Sequence, residues 1–366
     1  MISRVYNFNP GPATLPLPVL EKAREELLNY QGTGMSIMEI SHRSRQFEEI
    51  IASAEACFLE LAGLDKNYRV LFLQGGASLQ FMMIPYTFLS AGKTADYIVT
   101  GAFAEKALQE ASLIGNTHTA ASTKNTGFST IPAQEELSLS PNPAYLHLTT
   151  NNTIYGTQWK YTPACGNIPL IADMSSDILS REMDLTKFSL FYAGAQKNLG
   201  PAGVTVVVIH KSMLEKVPDN IPKIFSYKTH ADTNSLYNTP PCFSVYILKL
   251  VLEWLKDQGG PQAMGLLNGK KASLIYNAID QSKNFYRGHA QKKDRSSMNI
   301  TFRLPTEDLE NIFLQEAAAE GLTGLKGHRS VGGVRASIYN AMPLEGCEIL
   351  ANFMENFCSN NISQQE

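Results

Sequence analysis

The stretch SLFYAGAQKNLGPAGVTVVVIH (residues 189–210) sets two apolar runs, Leu190–Ala193 and Val204–Ile209, on either side of Lys197 and a turn rich in glycine and proline. Short runs that stay apolar without alternation are what strands buried on both faces require. An ammonium group placed between two such strands costs free energy unless something at that place uses it. Working outward, the same grammar recurs. RVLFLQ (69–74) is a short apolar run followed by Gly75-Gly76 and an apolar helix from Leu79, and DYIVTGAFAEKALQEA (96–111) repeats strand, turn and helix. YLHLTTNNTIYG and IPLIADMSSD supply two further strands. Apolar strands alternating with helices predict an α/β fold with a mainly parallel central sheet covered on both faces.

Flanking segments extend the pattern. Residues 1–18 read as extended and Pro-rich and residues 19–30 as a helix, and apolar residues at helical spacing run from Phe47 through Ile50, Ile51, Ala54 and Phe58 to Leu61. After a helix near 243–257, the glycines at 259, 260 and 265 are expected to loosen the chain. Beyond them MNITFRL and VRASIYNA read as strands, and DLENIFLQEAAAEGL and 344–357 as helices, which is the grammar of a smaller α+β domain. A length of 366 residues also favours two domains over one core. The expected division is a large domain over 16–260, and a small one over 261–366 joined by the N-terminal segment 1–15.

Composition excludes several classes of function. Hydrophobic residues make up 44% and charged residues 18% of a chain with net charge −3, so neither nucleic acid nor a membrane surface is the expected partner. Five cysteines, none in a C-x-x-C pair, read as reduced thiols of a cytoplasmic protein, and the seven histidines lack metal-ligand spacing. No signal peptide and no membrane-spanning run is evident. GLLNGKKAS (265–273) looks like a phosphate-binding loop of an ATPase, but its glycine spacing is one residue short and Lys271 stands where Ser or Thr would bind magnesium.

Chemistry gathers at the carboxyl ends of the expected strands, where open α/β sheets bind ligands. Asp173 ends IPLIAD, Thr153 lies in the polar turn after another strand, and Gly75-Gly76 open a helix whose free N–H groups and dipole suit a phosphate. Each has a plain structural reading: a helix N-cap for Asp173, a tight connection for the glycines, a solvated loop for Lys197. Together they meet the needs of pyridoxal phosphate: a lysine for a Schiff base, a carboxylate for the pyridine nitrogen, and a phosphate cup. Phe103 is placed to cover the ring.

SLFYAGAQKNLGPAG, with FNPGPATLP, EISHRS, GGASLQF, DMSSD and HRSVGGVRASIYNAM, resembles the phosphoserine aminotransferase family, class V aminotransferases of the aspartate-aminotransferase-like fold (PLP fold type I). The resemblance runs from about residue 6 to residue 357. It implies that Lys197 bonds to the cofactor and that Asp173 pairs with its ring nitrogen. Ala77, Ser78, Thr153 and Gln196 are implied around the phosphate, with Asn238 and Thr239 reaching in from the other subunit of a homodimer. Phe103 falls where many relatives carry tryptophan, which keeps stacking with less overlap. The resemblance gives Arg335 to the substrate α-carboxylate, and His42-Arg43 and His328-Arg329 to the phosphate or glutamate's distal carboxylate; arginine's planar fork suits both anions. Many relatives also have an arginine in the cup, where this chain reads ASL, and that leaves more of the phosphate to the two dipeptides.

The implied reaction is transamination between glutamate and 3-phosphohydroxypyruvate, as in L-serine biosynthesis. Activity on the phosphorylated threonine derivative of pyridoxine biosynthesis stays open at this point. So do two relatives of the same fold, a serine–glyoxylate aminotransferase and a cysteine desulfurase. The first leaves the two His-Arg pairs without a task. The second needs a cysteine nucleophile where the chain has His328 and Arg329.

Overall fold

The computed structural model describes residues 4–362, so the first three and last four residues of the expected small domain lie outside the described residues. A seven-stranded sheet forms its centre, in the spatial order Tyr68–Leu73, Thr205–His210, Leu190–Gly194, Leu170–Asp173, Pro143–Thr149, Thr94–Val99, Asn116–Ser122. Six strands run the same way, and Thr205–His210 runs antiparallel to both its neighbours. The expected mainly parallel sheet is therefore present.

Side-chain alternation explains the doubly apolar sequence runs. Val70 and Phe72 pack into a core with the helices Leu17–Glu26, Arg45–Ala62 and Cys242–Asp257. Leu71 and Leu73, one residue out of phase, pack into a second core with the helices Gly76–Phe88 and Ala102–Ser112. A strand with a core on each face has no polar phase to display. A third cluster of buried side chains joins Phe8 to residues from Ala272 to Cys358. It packs around a three-stranded antiparallel sheet (Arg287–Gly288, Asn299–Arg303, Val334–Ser337) and the helices Glu307–Ala319 and Leu344–Ile362. The N-terminal segment crosses to this part of the molecule, with Tyr6–Asn7 pairing in parallel with Leu322–Thr323.

Several local expectations need correction. The glycines near 260 do not loosen the chain: Gly260–Gln281 is a continuous helix of 22 residues, with Gly259 and Gly260 at positive φ where it begins. Gly265 lies inside that helix because a Cβ there would come within 3.1 Å of the Arg181 side chain, so close packing replaces helix propensity as the reason for glycine. The loop-like GLLNGKKAS is part of the same helix, which removes the phosphate-loop reading. The first helix spans Leu17–Glu26 and stops short of residue 30. Asn116–Ser122 is an unexpected strand; it lies at the sheet edge, where a polar sequence is tolerated.

Candidate active site

Five parallel strands each deliver a group to the same edge of the sheet. Tyr68–Leu73 leads to Ala77 and Ser78, Thr94–Val99 to Phe103, Pro143–Thr149 to Thr153, and Leu190–Gly194 to Gln196 and Lys197; Leu170–Asp173 ends on Asp173 itself. All seven residues line one cavity of about 290 Å³, together with His328 and Arg335. Gly11, from the N-terminal segment, also lines it. A Cβ on Gly11 would stand 3.3 Å from Lys197 Cγ, and its φ of +142° favours glycine as well.

Lys197 Nζ donates a 2.8 Å hydrogen bond to Thr153 Oγ1 and stands 4.9 Å from the centre of the Phe103 ring. Burial pushes its ammonium group below the ordinary lysine range; the charge of Asp173 opposes that shift and the charge of Arg335 adds to it. Asp173 is buried, and burial pushes its carboxyl up against the opposing effects of Lys197 and Ser175. Ser175 donates to Asp173 Oδ1 twice, from its backbone N–H at 2.9 Å and from its hydroxyl at 2.6 Å. No helix begins at Asp173, so the N-cap alternative does not apply.

Gly75 at the start of the helix Gly76–Phe88 adopts φ +86° and provides no side-chain cap. Its N-terminal N–H groups and positive dipole end are thereby free to receive an anion at the cavity. Arg335, in the strand Val334–Ser337, is only 6% exposed, yet its Nε has no hydrogen-bond partner among the described residues. A buried guanidinium of this kind calls for an anionic ligand. His328 Nδ1 pairs with Ser330 Oγ at 2.7 Å. Burial, and then the charges of Arg335, Arg329 and Lys106, keep its imidazole below the usual histidine range.

The remaining expected site residues are not brought to this cavity by their own chain. Arg43 and Arg329 are exposed, and neither they nor His42 line it. Asn238 Nδ2 donates to Gln74 Oε1 at 3.0 Å, and Thr239 O accepts from Gln74 Nε2 at 3.4 Å, outside the cavity lining. Sequence reasoning passed over Ser175 and Tyr339. Tyr339, just after the strand that carries Arg335, ties it to the N-terminal segment, donating to Pro10 O at 2.8 Å and accepting from Asn299 Nδ2 at 3.2 Å. A phenol in the expected strand VRASIYNA was the available signal. No cysteine lines the cavity, and no cluster of metal-ligating side chains occurs among the described residues.

The donor set therefore fits pyridoxal phosphate: a lysine amine, a facing carboxylate, an aromatic ring, a helix N-terminus and an unpaired buried arginine around one cavity. Comparison with known proteins agrees. Residues 5–350 match the family model described as Aminotransferase class-V. A phosphoserine aminotransferase of Herpetosiphon aurantiacus is 59% identical over 97% of this chain and 99% of its own length. The solved phosphoserine aminotransferase of Bacillus circulans subsp. alkalophilus superposes with a TM-score of 0.96 at 55% identity, covering 98% of this chain and 99% of that one. A PLP-bound phosphoserine aminotransferase from Trichomonas vaginalis gives 0.91 at 37% identity, over 96% and 100% of the two chains. With the cavity, the sheet edge and the matched length in agreement, the chain belongs to the class-V aminotransferase family.

Proposed function

We propose that this enzyme catalyses reversible, pyridoxal-phosphate-dependent transamination between glutamate and 3-phosphohydroxypyruvate, giving O-phosphoserine and 2-oxoglutarate. The observation that carries the reading is the buried, unpaired Arg335 sharing one cavity with Lys197 and Asp173. The identity of 59% to a phosphoserine aminotransferase supports the choice of substrates.

When bound, pyridoxal phosphate supplies an electrophilic carbon for the amino group and a ring that takes up the electron pair released at the substrate α-carbon. Lys197 would hold it, with Asp173 at its ring nitrogen, Phe103 over its face, and Ala77, Ser78, Thr153 and Gln196 about its phosphate. Arg335 binds and orients the substrate α-carboxylate, which brings the α-hydrogen to Lys197 Nζ. Nζ takes that proton from the donor amino acid and, in the second half of the reaction, delivers one to the α-carbon that becomes phosphoserine's. Only the neutral amine can do so, and burial already lowers the proton affinity of Nζ. His328 lines the same cavity, and in this reading it meets the substrate phosphate or distal carboxylate.

The remaining roles belong to the same reading. His42, Arg43 and Arg329 complete the phosphate contacts, and Asn238 and Thr239 reach the cofactor phosphate of a partner subunit in a homodimer. Apolar side chains left exposed ahead of His42, Leu28 at 82% and Met38 at 64%, support such an interface. The separate third core supports the division into a large domain, 16–260, and a small one, 261–366 with 1–15. Five free cysteines among the described residues support a cytoplasmic location.

The test is a coupled assay with glutamate as donor and 3-phosphohydroxypyruvate, glyoxylate or pyruvate as acceptor. The phosphorylated acceptor is expected to give the highest kcat/KM. A preference for either unphosphorylated acceptor would overturn the substrate assignment and spare the cofactor.

A further inference from the structure

We infer that Ser175 is a positioning residue for Asp173: it holds Oδ1 of that carboxylate with two donors and thereby assigns Oδ2 to the ring nitrogen of the bound cofactor. This deepens the proposed function and rests on its cofactor assignment. The argument begins from the hydroxyl of Ser175. Gly194 N–H donates to Ser175 Oγ at 3.0 Å, and a backbone N–H can only donate. The single hydroxyl proton of Ser175 is therefore free to point elsewhere, and it points to Asp173 Oδ1, at 2.6 Å. The Ser175 backbone N–H, another obligate donor, meets the same oxygen at 2.9 Å. Oδ1 thus receives two protons, one of them from a backbone N–H that cannot reverse, so a proton shared by Asp173 is favoured on Oδ2. Oδ2 takes no hydrogen bond among the described residues.

The surrounding sheet makes this arrangement rigid. Ser175 is 4% exposed, and its partner Gly194 ends the strand Leu190–Gly194, which pairs with Leu170–Asp173. Both carboxylate and hydroxyl are thus fixed by neighbouring parallel strands. The titratable groups facing Asp173 are Lys197, Asp177 and Tyr192. Lys197 supports the ionised carboxylate, Asp177 opposes it, and burial opposes it most. The two Ser175 bonds are the hydrogen bonds that offset the burial.

The test measures cofactor affinity, by spectroscopic titration of the apoprotein with pyridoxal phosphate across pH, in Ser175→Ala, Ser175→Thr and the same changes on an Asp173→Asn background. Losing a hydrogen bond to a charged group is worth about tenfold. Ser175→Ala is expected to bind about tenfold more weakly at neutral pH, with the acid limb of its affinity profile displaced upward by about one pH unit. The sign follows from the carboxyl: with less support its proton affinity rises, so the ionised form is lost at higher pH. Ser175→Thr retains the hydroxyl and is expected to restore the profile. On the Asp173→Asn background Ser175→Ala is expected to change affinity little, although its melting temperature falls as in the parent, because Gly194 N–H loses its acceptor in both. An unchanged acid limb in Ser175→Ala, or an equal loss of affinity on the Asp173→Asn background, overturns the inference. Failure of the unsubstituted protein to bind pyridoxal phosphate would overturn the cofactor assignment and this inference together, so the two failures are distinct.

Discussion

Arg335 and Lys197 stand in one cavity as cations that burial opposes, and among the described residues the only carboxylate lining that cavity is Asp173. Such a site is a liability to the empty protein and an asset to the loaded one. The two effects separate in a single substitution. Arg335→Leu removes a guanidinium whose Nε is unpaired and replaces it with a shorter apolar side chain that needs no partner. Its apoprotein is expected to melt no lower than the unsubstituted apoprotein. Its KM for glutamate is expected to rise at least ~100-fold, the cost of about 3 kcal/mol for a lost charge-assisted pair. Calorimetry and steady-state kinetics on one preparation check both halves; a large drop in melting temperature would make Arg335 a structural ion and sink the assignment. The residues around it differed in how visible they were. Lys197 stood out because a charge between two apolar runs has no packing explanation. Ser175 did not, since serine after an aspartate is unremarkable until Gly194 is known to lie beside it.

At the scale of elements, the helix Gly260–Gln281 reaches back to the strand that carries Arg335. Lys271, fully buried in that helix, donates from Nζ to Ile338 O, Tyr339 O and Met342 O at 3.1, 2.8 and 3.1 Å. It thus gathers the turn immediately after Val334–Ser337. Burial pushes its ammonium group down to about 8. Lys271→Met removes the lysine donor from three carbonyls, of which Tyr339 O keeps only the Met342 N–H, and is expected to destabilise the protein by about 2–4 kcal/mol. The pH dependence has a definite sign. Between pH 8 and the ordinary lysine value the unfolded chain binds the proton that the folded chain has released, so this group's contribution to stability rises with pH across that window. Denaturant unfolding of the two proteins should accordingly show a stability difference that widens from pH 8 to pH 10; a difference that narrows would refute the buried-cation reading. The elements themselves were legible in proportion to their burial. Central strands with a core on each face announce themselves by doubly apolar runs. The edge strand Asn116–Ser122, polar and partly exposed, carries no such mark. Glycines near 260 misled because a glycine required by close packing is identical in sequence to one that ends a helix.

For the whole molecule, the question is which expected contacts need a second copy. His42, Arg43, Arg329, Asn238 and Thr239 all lie outside the cavity of their own chain. If Asn238 serves a partner's site, two inactive variants should rescue each other. Lys197→Ala lacks the amine and is expected to be inactive with its fold intact; Asn238→Asp sets a carboxylate against the cofactor phosphate. Mixed after subunit exchange, the two should regain activity, since a heterodimer then pairs the intact Lys197 of one chain with the intact Asn238 of the other. No recovery, with heterodimers verified by mass, would place Asn238 in its own chain's site or in none. This level of organisation was the least legible. A strand announces its own burial, whereas a residue destined for another subunit looks like any exposed polar side chain.

The N-terminal segment carries a consequence for how the protein is made. Ala13 N donates to Gln196 O at 2.9 Å, Pro10 O accepts from Tyr339, and Tyr6–Asn7 pairs with Leu322–Thr323. Residues 6–13 are thus clasped between Gln196 and segments that are translated much later. Strands, reactive lysine and its carboxylate can all exist on a nascent chain, but Gly11 cannot be seated, nor the cavity closed, until residues beyond Arg335 have been translated. Closure of the cavity is therefore a late event of synthesis, set by a hydrogen bond between residues 329 positions apart.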